Sequence, residues 1–260
     1  MPELPDVEVF KRYFEDHALH KTIDHVEIRS DTIVKKVSSR SLRQTLANQS
    51  FDQARRIGKY LLVRLSGGAS LVVHFGMTGS FAYAENGDGE QAYARALFDF
   101  KGGGRLAFVN KRQFGFLSLT PDQTRFIDEH ALGPDALSLS RDEFTGRLEG
   151  RRGTIKAVLM NQSVMAGIGN IYSDEILFQT GIRPDRGVAS LSAKERASLH
   201  RTMRRVLETA IRHNADPHAF PASYLTPRRE ADAPCPRGTG SIKKATISGR
   251  SAYFCPSCQH

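Results

Sequence analysis

Apolar residues recur every three to four positions at the start of the chain, at Val7, Phe10 and Phe14, and this period predicts an amphipathic helix. Pro5 suits its first position, and Asp6 and Glu8 suit a first turn whose open N–H groups favour negative charge. From residue 22 to residue 120 the pattern becomes that of short strands. They are expected around Ile23, Val26 and Ile28, over 60–65, over 71–75, and over 95–100 and 105–110, the last two flanking Lys101-Gly102-Gly103-Gly104 as a hairpin turn. Short strands joined by glycine-bearing turns point to a sandwich or barrel. The polar run 85–90 reads as a flexible loop, and no internal repeat is visible. Past Leu132-Gly133-Pro134 the helical period returns, which places a domain boundary at 135–150. Ile155, Val158, Leu159 and Gln162 share one helical face; Ser192, with Glu195 three residues on, caps a further helix that runs to His213.

Composition adds constraints rather than detail. With 260 residues, 40% hydrophobic and 25% charged, the chain has the make-up of a soluble globular protein with ample material for a core. No apolar run approaches a membrane span, and the opening residues are too charged for a secretory leader, so a cytoplasmic protein without membrane partners is expected. Lys and Arg exceed Asp and Glu by 37 to 28, a net +9, and the pI is about 9.6. Residues 201–260 hold ten of the cations against four acids, so +6 of the +9 lies there. That end is the expected grip on a polyanion such as nucleic acid.

Several stretches carry candidate chemistry. If Met1 is removed, Pro2 becomes a free secondary amine, and an α-amino group titrates near ~8, low enough to leave a nucleophilic minority at neutral pH. Attack of such an amine on a sugar C1′ gives a charged iminium directly, and Glu3 could shuttle the accompanying proton. The same residues also simply start a helix, and both readings hold together. In the β half, Lys59 follows Arg55 and Arg56, Met77 sits between two glycines at a strand end, and Arg112 and Phe114 end another strand. Singly, these are a basic strand edge, a gap-filling methionine and an amphipathic turn. Together they supply the apolar wedge and neighbouring cations of a protein that enters a base stack. Gly167-Ile168-Gly169-Asn170 breaks one helix and opens the next; it reads either as a tight turn or as a helix start whose N–H groups and Asn170 hold a phosphate oxygen.

The three cysteines, Cys235, Cys255 and Cys258, all lie in the last 26 residues, a clustering that favours metal over disulfides. A complete four-cysteine finger would have its fourth thiol at position 238, where Gly238 stands. The alternatives are a Zn2+ site completed by His260 or water, and a metal-free hairpin that keeps the shape.

In these motifs the chain closely resembles the formamidopyrimidine-DNA glycosylase and endonuclease VIII family of base-excision repair enzymes. The marks are Pro2-Glu3-Leu4-Pro5, Arg56-Ile57-Gly58-Lys59-Tyr60-Leu61, His74-Phe75-Gly76-Met77-Thr78-Gly79, Gly167-Ile168-Gly169-Asn170-Ile171-Tyr172, and the tail from Cys235 to Gln259 with Gly249-Arg250. The resemblance implies an α+β multidomain fold: an N-terminal β-sandwich with flanking helices (1–135), a helix-two-turn-helix domain (136–228) and a zinc-finger-like β-hairpin (229–260). It implies a monomer that takes damaged double-stranded DNA through an interdomain cleft and needs no catalytic cofactor. Pro2 would be the nucleophile that forms a Schiff base, Glu3 the acid/base and Lys59 an assisting phosphate contact. Asn170 and Arg250 would hold phosphate, and Met77, Arg112 and Phe114 would fill the space left by the flipped base. Two features depart from the pattern. Gly238 replaces a cysteine, and the stretch 214–234 looks shorter than in the 8-oxoguanine-specific branch, where it caps the flipped purine. The motifs are closer to the formamidopyrimidine branch, so oxidised purines (8-oxoguanine, formamidopyrimidines) are the expected substrates, with oxidised pyrimidines second and a non-catalytic damaged-DNA binder as the competing class.

Overall fold

The structure, a computed structural model, describes residues 1–85 and 91–260; the loop expected over 85–90 lies, Glu85 apart, outside the described residues. The chain packs as two compact units, Met1–Pro2 with Asp6–His130, and Glu3–Pro5 with Ala131–His260.

The first unit holds α1 (Leu4–Ala18) from Asp6 onward; Val7 and Phe14 of the predicted stripe are buried in its core, Phe10 packs partly buried against it, and Ala18 joins them. Two four-stranded antiparallel sheets follow. β1 (Ile23–Ile28), β6 (Ala94–Phe100), β7 (Arg105–Asn110) and β5 (Gly79–Ala84) lie side by side in one. The other runs β2 (Phe51–Ile57), β3 (Tyr60–Leu65), β4 (Ser70–His74), β8 (Phe116–Thr120). Helices α2 (Ser39–Leu46) and α3 (Gln123–Glu129) flank this sandwich. Its core is aromatic: Phe14 meets Phe51 edge-on at 5.0 Å, and Phe51 meets Phe98 at 6.1 Å. Each such side chain contributes about 1.5–3 kcal/mol by leaving water.

The second unit is helical. α4 (Arg141–Leu148) and α7 (Ala193–Arg212) both open on complete capping boxes, Ser140 with Glu143 and Ser192 with Glu195, so the sequence reading of α7 holds. Between them lie α5 (Ile155–Met160) and α6 (Asn170–Thr180), the latter stopped by Gly181 in the left-handed region. The hairpin of β9 (Lys243–Ile247) and β10 (Arg250–Phe254) belongs to this unit. Ser248 and Gly249, with φ of 49° and 75°, form its two-residue turn, whose twist suits antiparallel strands. Residues 214–234 form no extended loop: short 3-10 turns at Pro217–Ala219 and Thr226–Arg228 alternate with Phe220, Tyr224 and Leu225, which are buried.

Candidate functional site

Glu3 is 1% exposed, and its carboxylate accepts hydrogen bonds from the backbone N–H groups of Gly169 (2.7 Å), Ile171 (2.8 Å) and Tyr172 (3.2 Å). These are the amide of the capping Gly169 and two free amides of the first turn of α6, where the helix favours negative charge. The turn is shaped for this residue. A Cβ on Gly169 would stand 2.4 Å from the Glu3 carboxyl carbon, and a Cβ on Gly167 would meet Leu4 at 2.6 Å. Gln162 braces the same turn, donating to the Ile168 carbonyl and accepting from the Gly167 N–H. The sequence left a tight turn and a phosphate-holding helix start open for the Gly-Ile-Gly-Asn motif; in the structure its amides hold an anion, the chain's own Glu3 carboxylate. Pro2, half-buried, is bonded directly to this anchored residue, and Met1 before it is 52% exposed.

Asn170 opens α6 beside Glu3, and its side-chain oxygen is buried with no hydrogen-bond partner. Its backbone carbonyl accepts from Lys156 (3.3 Å) and Arg229 (3.4 Å). Both cations pair with the buried Asp174, Lys156 at 2.5 Å and Arg229 at 2.7 Å, and the Tyr253 N–H of β10 donates to the same carboxylate at 3.2 Å. Burial pulls the Lys156 ammonium down while Asp174 draws it back; burial likewise pushes the Asp174 carboxyl up against the two cations. This network, invisible in the sequence, ties α5, α6, the 214–234 stretch and the hairpin together around Asn170. Arg250 stands exposed immediately after the hairpin turn. Glu175, fully buried, receives Leu225, Thr226 and Gln179, and burial raises its pKa.

In the first unit Lys59 occupies the tip of the β2–β3 hairpin, after Gly58 at φ 57°. Arg56, one of the cations read from sequence, instead pairs with Glu8 of α1 at 2.8 Å and is 8% exposed. The turn that carries Met77 and the stretch 112–114 form one rim. The Arg112 N–H donates to Thr78 at 3.2 Å, and a Cβ on Gly76 would lie 2.2 Å from the Gly115 nitrogen. Met77 (39%) and Phe114 (58%) are exposed, with the Arg112 guanidinium 5.0 Å above the Phe114 ring. Sequence reasoning missed two residues here. Tyr93, exposed and held at φ 65°, lies 5.3 Å under the Lys111 ammonium. His74 accepts the Gly76 N–H on Nδ1, and burial, with the Lys59 charge second, lowers its pKa to about 4. The neutral imidazole thus supports the turn that carries Met77.

Cys235, Cys255 and Cys258 converge, with all three sulfurs within 4.8 Å of one another; His260 is not in the group. The Cys235–Cys258 separation is 3.8 Å. Tetrahedral zinc with Zn–S bonds of about 2.3 Å sets its sulfurs about 3.8 Å apart, which the Cys235–Cys258 pair matches. Burial pushes the Cys255 thiol up, but hydrogen bonds, first from Thr239, outweigh it and bring it to about 7; burial raises Cys258 to about 11.

Residues 1–117 match the family model of the formamidopyrimidine-DNA glycosylase N-terminal domain, and residues 132–220 that of the H2TH domain of the same enzymes. A formamidopyrimidine-DNA glycosylase of Carboxydothermus hydrogenoformans is 35% identical, covering 100% of both chains. Among solved structures, the Lactococcus lactis enzyme non-covalently bound to DNA containing an AP site superposes with a TM-score of 0.89 at 26% identity, over 99% of each chain. A point mutant of that enzyme in complex with Fapy-dG-containing DNA gives 0.89 at 25%, over 100% of each.

Proposed function

The chain belongs to the formamidopyrimidine-DNA glycosylase family, and on that premise we propose that it is a bifunctional DNA glycosylase and AP lyase of base-excision repair acting through Pro2. The observation that carries the reading is the Glu3 clasp, which fixes the residue bonded to Pro2 at the start of α6, beside Asn170. The exposure of Met1 is consistent with its removal. Lone-pair attack of the Pro2 nitrogen on C1′ displaces the base; the Pro2 nitrogen then gives up its N–H proton, and its recovered lone pair forms the C1′=N bond as the ring oxygen leaves, with Glu3 carrying that proton from the nitrogen to the ring oxygen. The resulting iminium acidifies the C2′ proton. Its loss expels the 3′ phosphate, and a second elimination expels the 5′ phosphate. Lys59 assists near the lesion phosphate, Asn170 and Arg250 hold the backbone, and Met77, Arg112 and Phe114 replace the extruded base, whose unstacking costs a few kcal/mol.

Residues 1–135, 136–228 and 229–260 are read as catalytic, helix-two-turn-helix and finger-like parts. Zinc, held by Cys235, Cys255 and Cys258, would cross-link the hairpin and take no part in the chemistry. Among the described residues no helix is long and apolar enough to cross a membrane. We read the protein as a cytoplasmic monomer that associates with the nucleoid when bound to DNA.

Oxidised purines are the first substrate class. The inward commitment of Phe220, Tyr224 and Leu225 leaves the 214–234 stretch few apolar side chains with which to cap a purine, which keeps oxidised pyrimidines as the second reading. Borohydride trapping on duplexes carrying 8-oxoguanine, a formamidopyrimidine or an oxidised pyrimidine tests both. A covalent adduct lost in Pro2→Gly is expected, with the purine lesions trapped most; absence of any adduct would leave a damaged-DNA binder.

A further inference from the structure

The fourth corner of the thiol cluster is not at position 238. Gly238 has φ of 70°, its N–H closes a turn onto the Cys235 carbonyl at 2.9 Å, and a Cβ built there meets nothing within 4 Å. A cysteine at 238 would be strained, with its side chain leaving into open space.

The next residue points the other way. Thr239 Oγ1 lies 3.4 Å from Cys235 Sγ and 3.6 Å from Cys255 Sγ. The hydroxyl donates its one proton to Cys235 Sγ, which leaves the oxygen two lone pairs to offer a metal. With Zn–S of about 2.3 Å and Zn–O of about 2.0–2.2 Å, a tetrahedral ion sets its sulfur and oxygen ligands about 3.5–3.6 Å apart. Three edges of one small tetrahedron are thus in place, Cys235–Cys258, Cys235–Thr239 and Cys255–Thr239, and all three sulfurs lie within 4.8 Å of one another.

We propose that this chain holds zinc by Cys235, Cys255, Cys258 and the Thr239 hydroxyl, an S3O site in which a one-residue shift of the turn has moved the fourth ligand from 238 to 239. This rests on the zinc reading above. A neutral oxygen is a weaker donor to zinc than a thiolate, and Thr239 is exposed, so the site exchanges its metal more readily than a four-thiolate finger.

The test uses the full chain with Zn2+ and Co2+ as probes. Metal content and Zn2+ affinity, by competition with a chromophoric chelator, are measured for wild type, Thr239→Val, Thr239→Cys and Gly238→Cys, with circular dichroism as the folding control. One zinc per chain is expected in wild type. Thr239→Val should bind about tenfold more weakly and Thr239→Cys about tenfold or more tightly, whereas Gly238→Cys should gain nothing. The Co2+ spectrum should show three-thiolate charge transfer in wild type and a fourth thiolate only in Thr239→Cys. Wild type without stoichiometric zinc would overturn the zinc reading itself. Bound zinc with Thr239→Val unchanged, or tightening in Gly238→Cys, would overturn the Thr239 assignment alone.

Discussion

Under the proposed mechanism Glu3 would have two separable jobs, because the carboxylate proposed to move a proton also accepts from three amides at the start of a buried helix. Glu3→Ala leaves those donors without an acceptor, and its second-unit transition in urea should lose about 2–4 kcal/mol, since each buried unpaired amide costs roughly 1–3 kcal/mol and some relaxation is expected. Glu3→Gln keeps an acceptor oxygen and should lose less than half as much, yet excise no base. Wild-type excision by Glu3→Gln would dismiss the acid/base role. His74 supplies the counterpart in pH. Its folded pKa of about 4 lies below the unfolded value of 6.5, so between those values the unfolded chain binds the extra proton. Stability is unaffected by this group above pH 6.5 and falls as pH drops toward 4, with a slope of at most about 1.4 kcal/mol per unit. Protonation also removes the Nδ1 acceptor that holds the Gly76 N–H. Urea unfolding of wild type and His74→Gln across this window should converge as pH falls; parallel curves would show that His74 titrates normally in the folded protein.

At the scale of elements, α6 is the member on which the second unit depends, and Asp174 is its central charge. Asp174→Asn leaves Lys156 and Arg229 without the carboxylate both pair with and should destabilise the unit by about 3–5 kcal/mol. It should also loosen the hairpin, because the Tyr253 N–H loses a charged acceptor, so amide exchange in β10 should quicken beyond the global change. Unaltered relative protection of β10 would confine Asp174 to the helices. None of this was legible in the sequence: the partners are 18, 55 and 79 residues away from Asp174, and no local pattern links them. What was legible followed burial. β3 and β7 agree with the apolar pattern residue for residue, and β4 and β6 within one, because central strands are apolar on both faces or alternate cleanly. β2, β5 and β8 were missed, and all three are sheet edges, where polar residues, a bulge near Asp52 and loop-like Gly79-Ser80 blur the period. The Gly-Ile-Gly-Asn motif left a tight turn and a phosphate-holding helix start both open, and the carboxylate its amides hold, 166 residues upstream, was not legible.

For the molecule as a whole, a net charge of +9 is a poor guide to how many cations meet DNA, because the fold has already used several of them. In the 201–260 segment, Arg204 pairs with Glu208, Arg229 with Asp174 and Lys243 with Asp232, and Arg237 donates to the carbonyls of Phe178 and Gln179. Arg250, exposed at the hairpin tip, is a better candidate for phosphate than the count implies. Each cation that neutralises a phosphate adds about −0.9 to the slope of log K against log salt, whereas a neutral donor adds affinity without slope. Binding to a duplex containing an uncleavable abasic analogue should therefore weaken steeply with salt in wild type. Arg250→Ala should reduce the magnitude of that slope by about one. Asn170→Ala should lower affinity at every salt concentration and leave the slope in place, because its amide is uncharged. If Arg250→Ala kept the wild-type slope, the hairpin tip would not touch the backbone, and the segment's charge would serve its own packing rather than DNA.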